Sequence, residues 1–445
     1  MDTGNTAWLL ISAALVLLMT PGLAFFYGGM VRTKSVLNML MMSIGAMAVV
    51  GVLWMVFGYS MAFGNDVGGG LLGNPGEFFG LKGLLLPEAK SGTAPATAFV
   101  AFQAMFAIIT VALISGAIAD RTKFGSWLVF AGLWATIVYF PVAHWVFAFD
   151  ATDGSTVGGW IANKLKALDF AGGTAVHINA GAAALALALV LGKRRGWPKE
   201  RMKPHNLPFV MLGAGLLWFG WFGFNAGSAL AANNIAGVAF INTLGATCAA
   251  MLGWLLIERI RDGKATTLGG ASGIVAGLVA ITPACAYVGV WGALAIGLIA
   301  GALCALAVGL KYKFGYDDSL DVVGVHLVGG LVGTLLIGLF GTTSVNPASV
   351  DGLFYGGGAT QLGKQAVGAF AVLGYSLVAT LIIGFLIKVT IGFRVDDESE
   401  VTGVDETEHA ESAYEFSDVR GGGSPIGRNA DKIASKIPAS ASKEG

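Results

Sequence analysis

The sequence predicts an all-α integral membrane fold of eleven transmembrane helices, in which spans 1–5 and 6–10 form an inverted repeat and one extra helix stands outside it. Composition is the first observation. Of 445 residues, 55% are hydrophobic and 12% are charged, with 67 glycines, more apolar surface than one water-soluble core can hide. The second is the recurrence of apolar runs of about 20 residues, enough to cross the ~30 Å hydrocarbon layer at 1.5 Å per residue. The third is a repeated segment, Asp169-Phe-Ala-Gly-Gly-Thr-Ala-Val-His177 and Asp318-Ser-Leu-Asp-Val-Val-Gly-Val-His326. Each copy places a carboxylate eight residues before a histidine at the start of an apolar run, and the two runs lie five apart.

The runs cover 7–27, 36–63, 98–119, 124–149, 170–192, 207–224, 235–257, 268–286, 288–310, 322–340 and 366–391. The first closes on Phe25-Phe-Tyr-Gly-Gly29. The third carries Phe102 and Phe106, four apart and so on one helix face. The fourth ends on His144, Trp145 and Phe147. The fifth opens at Asp169, and the sixth ends on Trp221, Phe222 and Phe224, with Ser228 four residues further on. The seventh, eighth and ninth hold Cys248, Cys285 and Cys304 without CxxC spacing, which reads as small core residues rather than a redox or metal site. Asp318 and Asp321 precede the tenth as candidate caps, and the eleventh ends the membrane domain.

An odd number of spans puts the two ends of the chain on opposite faces, and the basic residues assign the faces. Connections after odd-numbered spans carry fifteen Lys and Arg, and those after even-numbered spans carry five. This bias predicts a multi-pass protein of the cytoplasmic (inner) membrane with the N-terminus outside and the C-terminus in the cytoplasm. Met1-Asp2-Thr3-Gly4 is not a basic n-region, so no cleavable signal peptide is expected. Residues 1–393 form the membrane domain. Residues 394–445 form a cytoplasmic tail, charged and partly ordered to about 416, then flexible from Gly421-Gly-Gly-Ser-Pro425 onward. A net charge of zero without a basic patch excludes nucleic acid as a partner.

Five spans is an odd offset, so the second Asp-x7-His copy traverses the membrane upside down relative to the first. The copies also share Val176/Val325 before the histidine and Gly181/Gly330 four residues after it. Of the five histidines, His144, His205 and His409 fall near span ends or in the tail. His177 and His326 sit well inside and approach the midplane from opposite faces. Two neutral imidazoles in contact hydrogen-bond each other and offer polar atoms to a small solute without a fixed buried charge. Ionisable residues inside a bilayer are costly and mark transport paths. Asp169 stands about two turns from His177 and suits the amide hydrogens and dipole of the helix start. The outer aromatic residues read as an interfacial belt or as rings that attract a cation, worth about 0.5 to 2 kcal/mol each.

At these residues the chain resembles the ammonium transporter (Amt/Mep/Rh) family, over residues 6–416. The resemblance rests on Phe25-Phe-Tyr-Gly-Gly29, Phe102-Gln-Ala-Met-Phe106, Asp169 to His177, Trp221-Phe-Gly-Phe-Asn-Ala-Gly-Ser228, Asp317 to His326, and the tail from Gly392-Phe-Arg-Val to Glu408-His-Ala-Glu-Ser-Ala-Tyr414. It implies a homotrimer in lipid, each protomer with its own narrow pore, serving nitrogen uptake. Phe102, Phe106 and Ser228 would belong to the outer vestibule that recruits ammonium, with Asp169 supporting it. Phe106 and Phe224 would be the gate, and His177 and His326 the paired pore histidines, with Trp221 lining the pore. Where many members complete the vestibule with tryptophan this chain has Phe147, which implies either a weaker cation site or a substitute ring from Trp145 two residues earlier. The family's bacterial and archaeal members bind a PII-type signal protein at the cytoplasmic face. No enzyme activity, cofactor or metal is implied.

Ammonium and potassium share size and charge, so discrimination must use protons that ammonium can donate or lose. A long apolar pore penalises a bare charge heavily. The expectation is that ammonium, or its analogue methylammonium, is captured outside, loses its proton near the gate and passes as ammonia along His177 and His326. Competing readings are an ammonium sensor acting through the tail, an Rh-like gas channel for ammonia or carbon dioxide, and a membrane protein holding haem between histidines.

Overall fold

The computed structural model describes residues 1–200 and 202–414. The expected flexible end of the tail lies outside the described residues. Among the described residues, ten helices are long and apolar enough to cross a membrane: α1 (Thr3–Met30), α2 (Thr33–Phe63), α3 (Ala96–Ile118), α4 (Phe124–Phe147), α5 (Gly173–Leu191), α6 (Leu207–Gly227), α7 (Asn234–Asp262), α9 (Val290–Phe314), α10 (Val323–Phe340) and α11 (Thr360–Thr390). Between α7 and α9 lies α8 (Thr267–Ile281), apolar but only 15 residues long. The expected eighth span ran to 286. Pro283 has no N–H to donate, so the α-helical ladder lapses there, and Ala284 and Tyr287 bond three residues back instead. The sequence 282–287 therefore continues as buried turns packed against the helices. One hairpin, β1 (Lys90–Ser91) with β2 (Ala94–Pro95), lies in the connection before α3.

Helix α5 is the most enclosed span, and α2 and α11 face outward most. Helix α1 packs along α6, and α5 packs against α10 through its opening turn, each pair combining spans five apart. The crossing of α5 and α10 is close at two points. A Cβ at Gly181 would lie 2.5 Å from the Leu327 amide nitrogen, and one at Gly330 would lie 3.1 Å from His177 Cβ. Each glycine thus sits beside the opposite histidine's turn, and as residue numbers rise on one helix they fall on the other, so the two helices cross antiparallel. In lipid, where apolar surface gives little drive for helix association, small residues at crossings supply the contact.

The helix starts are satisfied in two ways. Asp2, Asn206, Asn233 and Thr266 cap α1, α6, α7 and α8 through their own side chains, as unpaired first-turn amides require. For α2 and the start of α4 the caps come from the tail, which forms α12 (Asp397–Thr402) and α13 (Val404–His409). Asp405 accepts from the amides of Leu37 and Asn38 at 3.0 and 2.8 Å, and Glu408 accepts from that of Phe124 at 2.8 Å. His205 meets the Tyr414 hydroxyl at 2.8 Å. Negative groups at helix N-termini also complement the helix dipole.

The same face holds a buried ion network. Arg194 bonds Asp120 and Asp317 at 2.9 Å each, and Arg121 donates to the Asp317 carbonyl at 2.7 Å and to Ser319 Oγ at 2.5 Å. These residues follow α3, follow α5 and precede α10, so the network ties three span ends. Burial works hardest against ionisation of Asp317, but the hydrogen bonds and charge of Arg194, with Arg121 behind it, together outweigh burial and hold this carboxyl below its usual range. Of the cysteines, Cys285 and Cys304 are buried as expected, whereas Cys248 faces outward on α7, where the surrounding lipid is as apolar as a core and places no demand on a thiol.

Candidate functional site

Helices α5 and α10 each begin with a π-helical turn, Gly173–Ile178 and Val323–Leu327, and each turn carries its histidine. Single π turns often occur at functional sites. His177 and His326 face one another with Nδ1 atoms 3.2 Å apart and ring centroids 5.3 Å apart. With both rings neutral, one Nδ1–H donates to the other Nδ1. One Nε2 is then left as an acceptor and the other as a donor. Both histidines are buried. His144 is buried too, but it lies apart from this pair, with Nδ1 on the Ala62 carbonyl at 2.9 Å and Nε2 3.4 Å from Asp66.

Trp221 lies against His177, its centroid 5.4 Å away and its plane within 18° of parallel. Its indole N–H donates to Thr282 Oγ1 at 2.8 Å, so the turn that ends α8 fixes the ring. Phe224, one turn on, stacks on Phe106 at 4.1 Å and 22°. Between this stack and the histidines lies a cavity of about 10 Å³, lined by Trp221, Phe224, His177, His326 and aliphatic side chains. It has room for about one water-sized molecule, and ammonia is of that size.

On the other side of the stack opens a cavity of about 530 Å³ whose lining includes Phe106, Phe147, Ser228, Asp169, Gln103 and Tyr59. Phe147 stands edge-on to Phe106 at 6.5 Å. Ser228 donates to the Phe224 carbonyl at 2.8 Å, leaving hydroxyl lone pairs free to accept. Phe102 does not line this cavity. It is fully buried behind Phe106, with ring centroids 4.9 Å apart. Trp145 is turned away from it as well, packed on Trp160 and Tyr375 and donating to the Leu71 carbonyl at 2.8 Å. Among the described residues lining the cavity, Lys90 is the one cation.

Asp169 borders the cavity but is spent on the chain itself. Oδ1 accepts from the amides of Gly172 and Gly173 at 2.7 Å each, and Oδ2 accepts from the Thr174 amide at 2.8 Å and from the Thr174 hydroxyl. The helix starts at Gly173 rather than at Asp169, so the carboxylate caps from four residues ahead. Asp318 repeats this in a weaker form, one oxygen accepting from the Val323 amide at 2.7 Å. Asp321 pairs with Lys311 at 2.7 Å instead of capping. Sequence reasoning did not single out Thr282, Gln103 or Tyr59. Gln103, a lone amide between Phe102 and Phe106 in an apolar run, was the available signal for one of them.

The sequence model described as the Ammonium Transporter Family matches residues 7–414. The chain is 68% identical to an ammonium transporter of Mycobacterium tuberculosis, across 93% of this chain and 91% of the relative, and 48% identical to one of Bacillus subtilis, across 94% and 100%. Among solved structures it is similar to Mep2 of Saccharomyces cerevisiae, with TM-score 0.82, 37% identity and 89% and 88% of the two chains covered. It is also similar to a protein described as a sensor Amt protein, with TM-score 0.83, 29% identity and 91% and 98% covered. A family match over nearly the whole chain, together with these relatives, establishes that this protein is a member of the ammonium transporter family, a multi-pass, mainly helical membrane protein.

Proposed function

We propose that the protein carries ammonium across the cytoplasmic membrane by binding the cation in the 530 Å³ cavity, where at the Phe106–Phe224 stack it gives a proton to the water of that cavity, and by passing the resulting ammonia along His177 and His326. The observation that carries this reading is the order of groups: an aromatic and hydroxyl-bearing cavity, then two stacked rings, then a one-molecule cavity lined in part by the facing imidazoles. The rings of Phe106 and Phe147 and the Ser228 hydroxyl attract a partly dehydrated cation at little desolvation cost to themselves. Past the stack the walls other than the imidazoles, the indole and Phe224 are Met19 and aliphatic side chains, so a charge that entered would lose its hydration without repayment. Ammonia would accept from one Nε2–H and donate to the other Nε2. Trp221, held by Thr282, keeps His177 in its plane. Phe102 acts as backing for Phe106, and Asp169 as the anchor of the His177 turn.

By the charge bias the N-terminus is outside and the tail cytoplasmic, and family resemblance adds a homotrimer that binds a PII-type signal protein on the tail face. Residues 1–393 would be the transport domain and 394–445 the regulatory tail. A sensing role is a second reading, favoured by the tail's caps on α2 and α4 and by the sensor protein among the structural neighbours. The test is uptake of methylammonium and current, measured together in proteoliposomes for the double substitution His177→Ala/His326→Ala. Folded protein with uptake lowered at least tenfold supports the reading. Unchanged uptake with unchanged exclusion of potassium overturns it.

A further inference from the structure

Helix α11 lies outside the repeated halves, yet its first turns reach the segment that anchors the pore. Gln365 is fully buried. Its Oε1 accepts from the Leu168 amide at 2.6 Å, and its Nε2 donates to the Leu168 carbonyl at 2.7 Å and to the Thr334 carbonyl at 3.1 Å. One amide side chain therefore grips both backbone groups of the residue before Asp169 and, on its other side, the backbone of α10. Gln361, one turn earlier on the same face, donates to Gln365 Oε1 at 2.9 Å and to the Lys166 carbonyl at 3.3 Å, which holds the grip in place. Beyond Leu168, the Phe170 amide is tied to the Pro283 carbonyl at 3.1 Å, and Asp169 gathers the amides of the turn that carries His177.

We propose that Gln365 is a positioning residue for conduction: it sets Leu168, through Leu168 the carboxylate of Asp169, and through Asp169 the angle at which His177 meets His326. The physical reason is that the fully buried amide of Gln365 satisfies the part-buried N–H and carbonyl of Leu168 together with the buried Thr334 carbonyl, so the segment is held in one placement while the amide is present. Thr334 lies two turns beyond His326 on α10, so the same side chain references both histidine-bearing helices to α11. This inference rests on the reading of the histidine pair as the conduction path.

The test uses the full-length protein in proteoliposomes, with uptake per folded transporter measured for Gln365→Met, Asp169→Asn and the two combined. Gln365→Met keeps the side-chain length and removes all four bonds, three to backbone groups and one from Gln361. The expected result is a fall of about fivefold or more in maximal rate with the half-saturation concentration within about twofold of the wild type, because the outer cavity does not contain Gln365. The double variant should be no slower than Asp169→Asn alone, since groups that act through one another are not additive. A wild-type rate for Gln365→Met, or effects that multiply in the double variant, overturns the proposal. Should Gln365→Met fail to fold, Gln361→Met, which removes only the outer support, should lower the maximal rate about twofold, and a wild-type rate there overturns it too. If the double histidine variant transports normally, the conduction reading itself has failed, whatever Gln365 does.

Discussion

Phe106 and Phe224 stack face to face, 4.1 Å between centroids, and separate a cavity of about 530 Å³ from one of about 10 Å³. Phe147 stands edge-on to the same Phe106 from the wide side. On the proposed reading the larger cavity is where a cation would keep part of its hydration, and the quality of its rings would set how well that cation is held.

The first prediction concerns this third ring. Indole attracts cations better than a phenyl ring. Phe147→Trp should lower the half-saturation concentration for methylammonium by about twofold to threefold, equivalent to about 0.5 kcal/mol, with the maximal rate unchanged. Concentration dependence of uptake checks it. An unaltered or higher half-saturation value would mean that this wall does not touch the cation.

The second prediction concerns the crossing of α5 and α10. At Gly181 an added Cβ meets the Leu327 amide nitrogen at 2.5 Å and Cα at 2.7 Å, both rigid backbone, while at Gly330 the nearest atoms are 3.1 Å away. Gly181→Ala should therefore destabilise by about 2–3 kcal/mol and abolish uptake by prying the histidines apart, whereas Gly330→Ala should cost about 1 kcal/mol and retain partial uptake. Thermal unfolding in detergent, read beside transport, gives the ranking, and a reversed order would contradict this geometry.

The third prediction concerns pH and the buried ions on the tail face. The Asp317 carboxyl is held below its usual range, chiefly against burial, by Arg194 and Arg121. A depressed native value means that its contribution is fully present above the unfolded-state value of about 3.9 and is lost as pH falls through the lower native value. Melting temperature should thus hold from neutral pH to about 4 and fall below it. Arg194→Met removes the main partner and leaves Asp317 with Arg121 at 3.9 Å, which should cost about 3 kcal/mol at neutral pH, and with burial then the larger influence that cost should shrink as acid protonates the carboxyl. A melting profile that ignored this substitution would show that the network carries no such weight.

Much of this architecture was legible because membranes impose a coarse code. Length and apolarity marked eleven runs, of which ten are long helices and the eighth a shorter one, and the Asp-x7-His spacing identified the two helices whose histidines meet. Where reading stopped short, a long-range partner decided. Nothing local says that Trp145 turns toward Tyr375 and away from the cavity, or that Phe102 is covered by Phe106. The early end of α8 was signalled by Pro283, but the use of the resulting turn, to hold Trp221 through Thr282, depends on packing. Likewise Asp405 and Glu408 read as ordinary tail charges until they are seen on the first amides of α2 and α4, some 370 and 280 residues away. Gln365 stands just before the last apolar run with nothing local to mark its role, and its grip on Leu168 spans 197 residues.

The π turns at 173–178 and 323–327 have a bearing on insertion and deletion tolerance. Each holds one residue more than an ordinary helical turn needs, and one residue corresponds to about 100° of rotation. Excising a single amino acid from either turn would yield a more regular helix whose imidazole swings about a quarter of a circle away from its partner ring. A deletion scan should therefore find shortened variants that resist heat at least as well as the parent and move nothing, separating what keeps this molecule intact from what makes it useful.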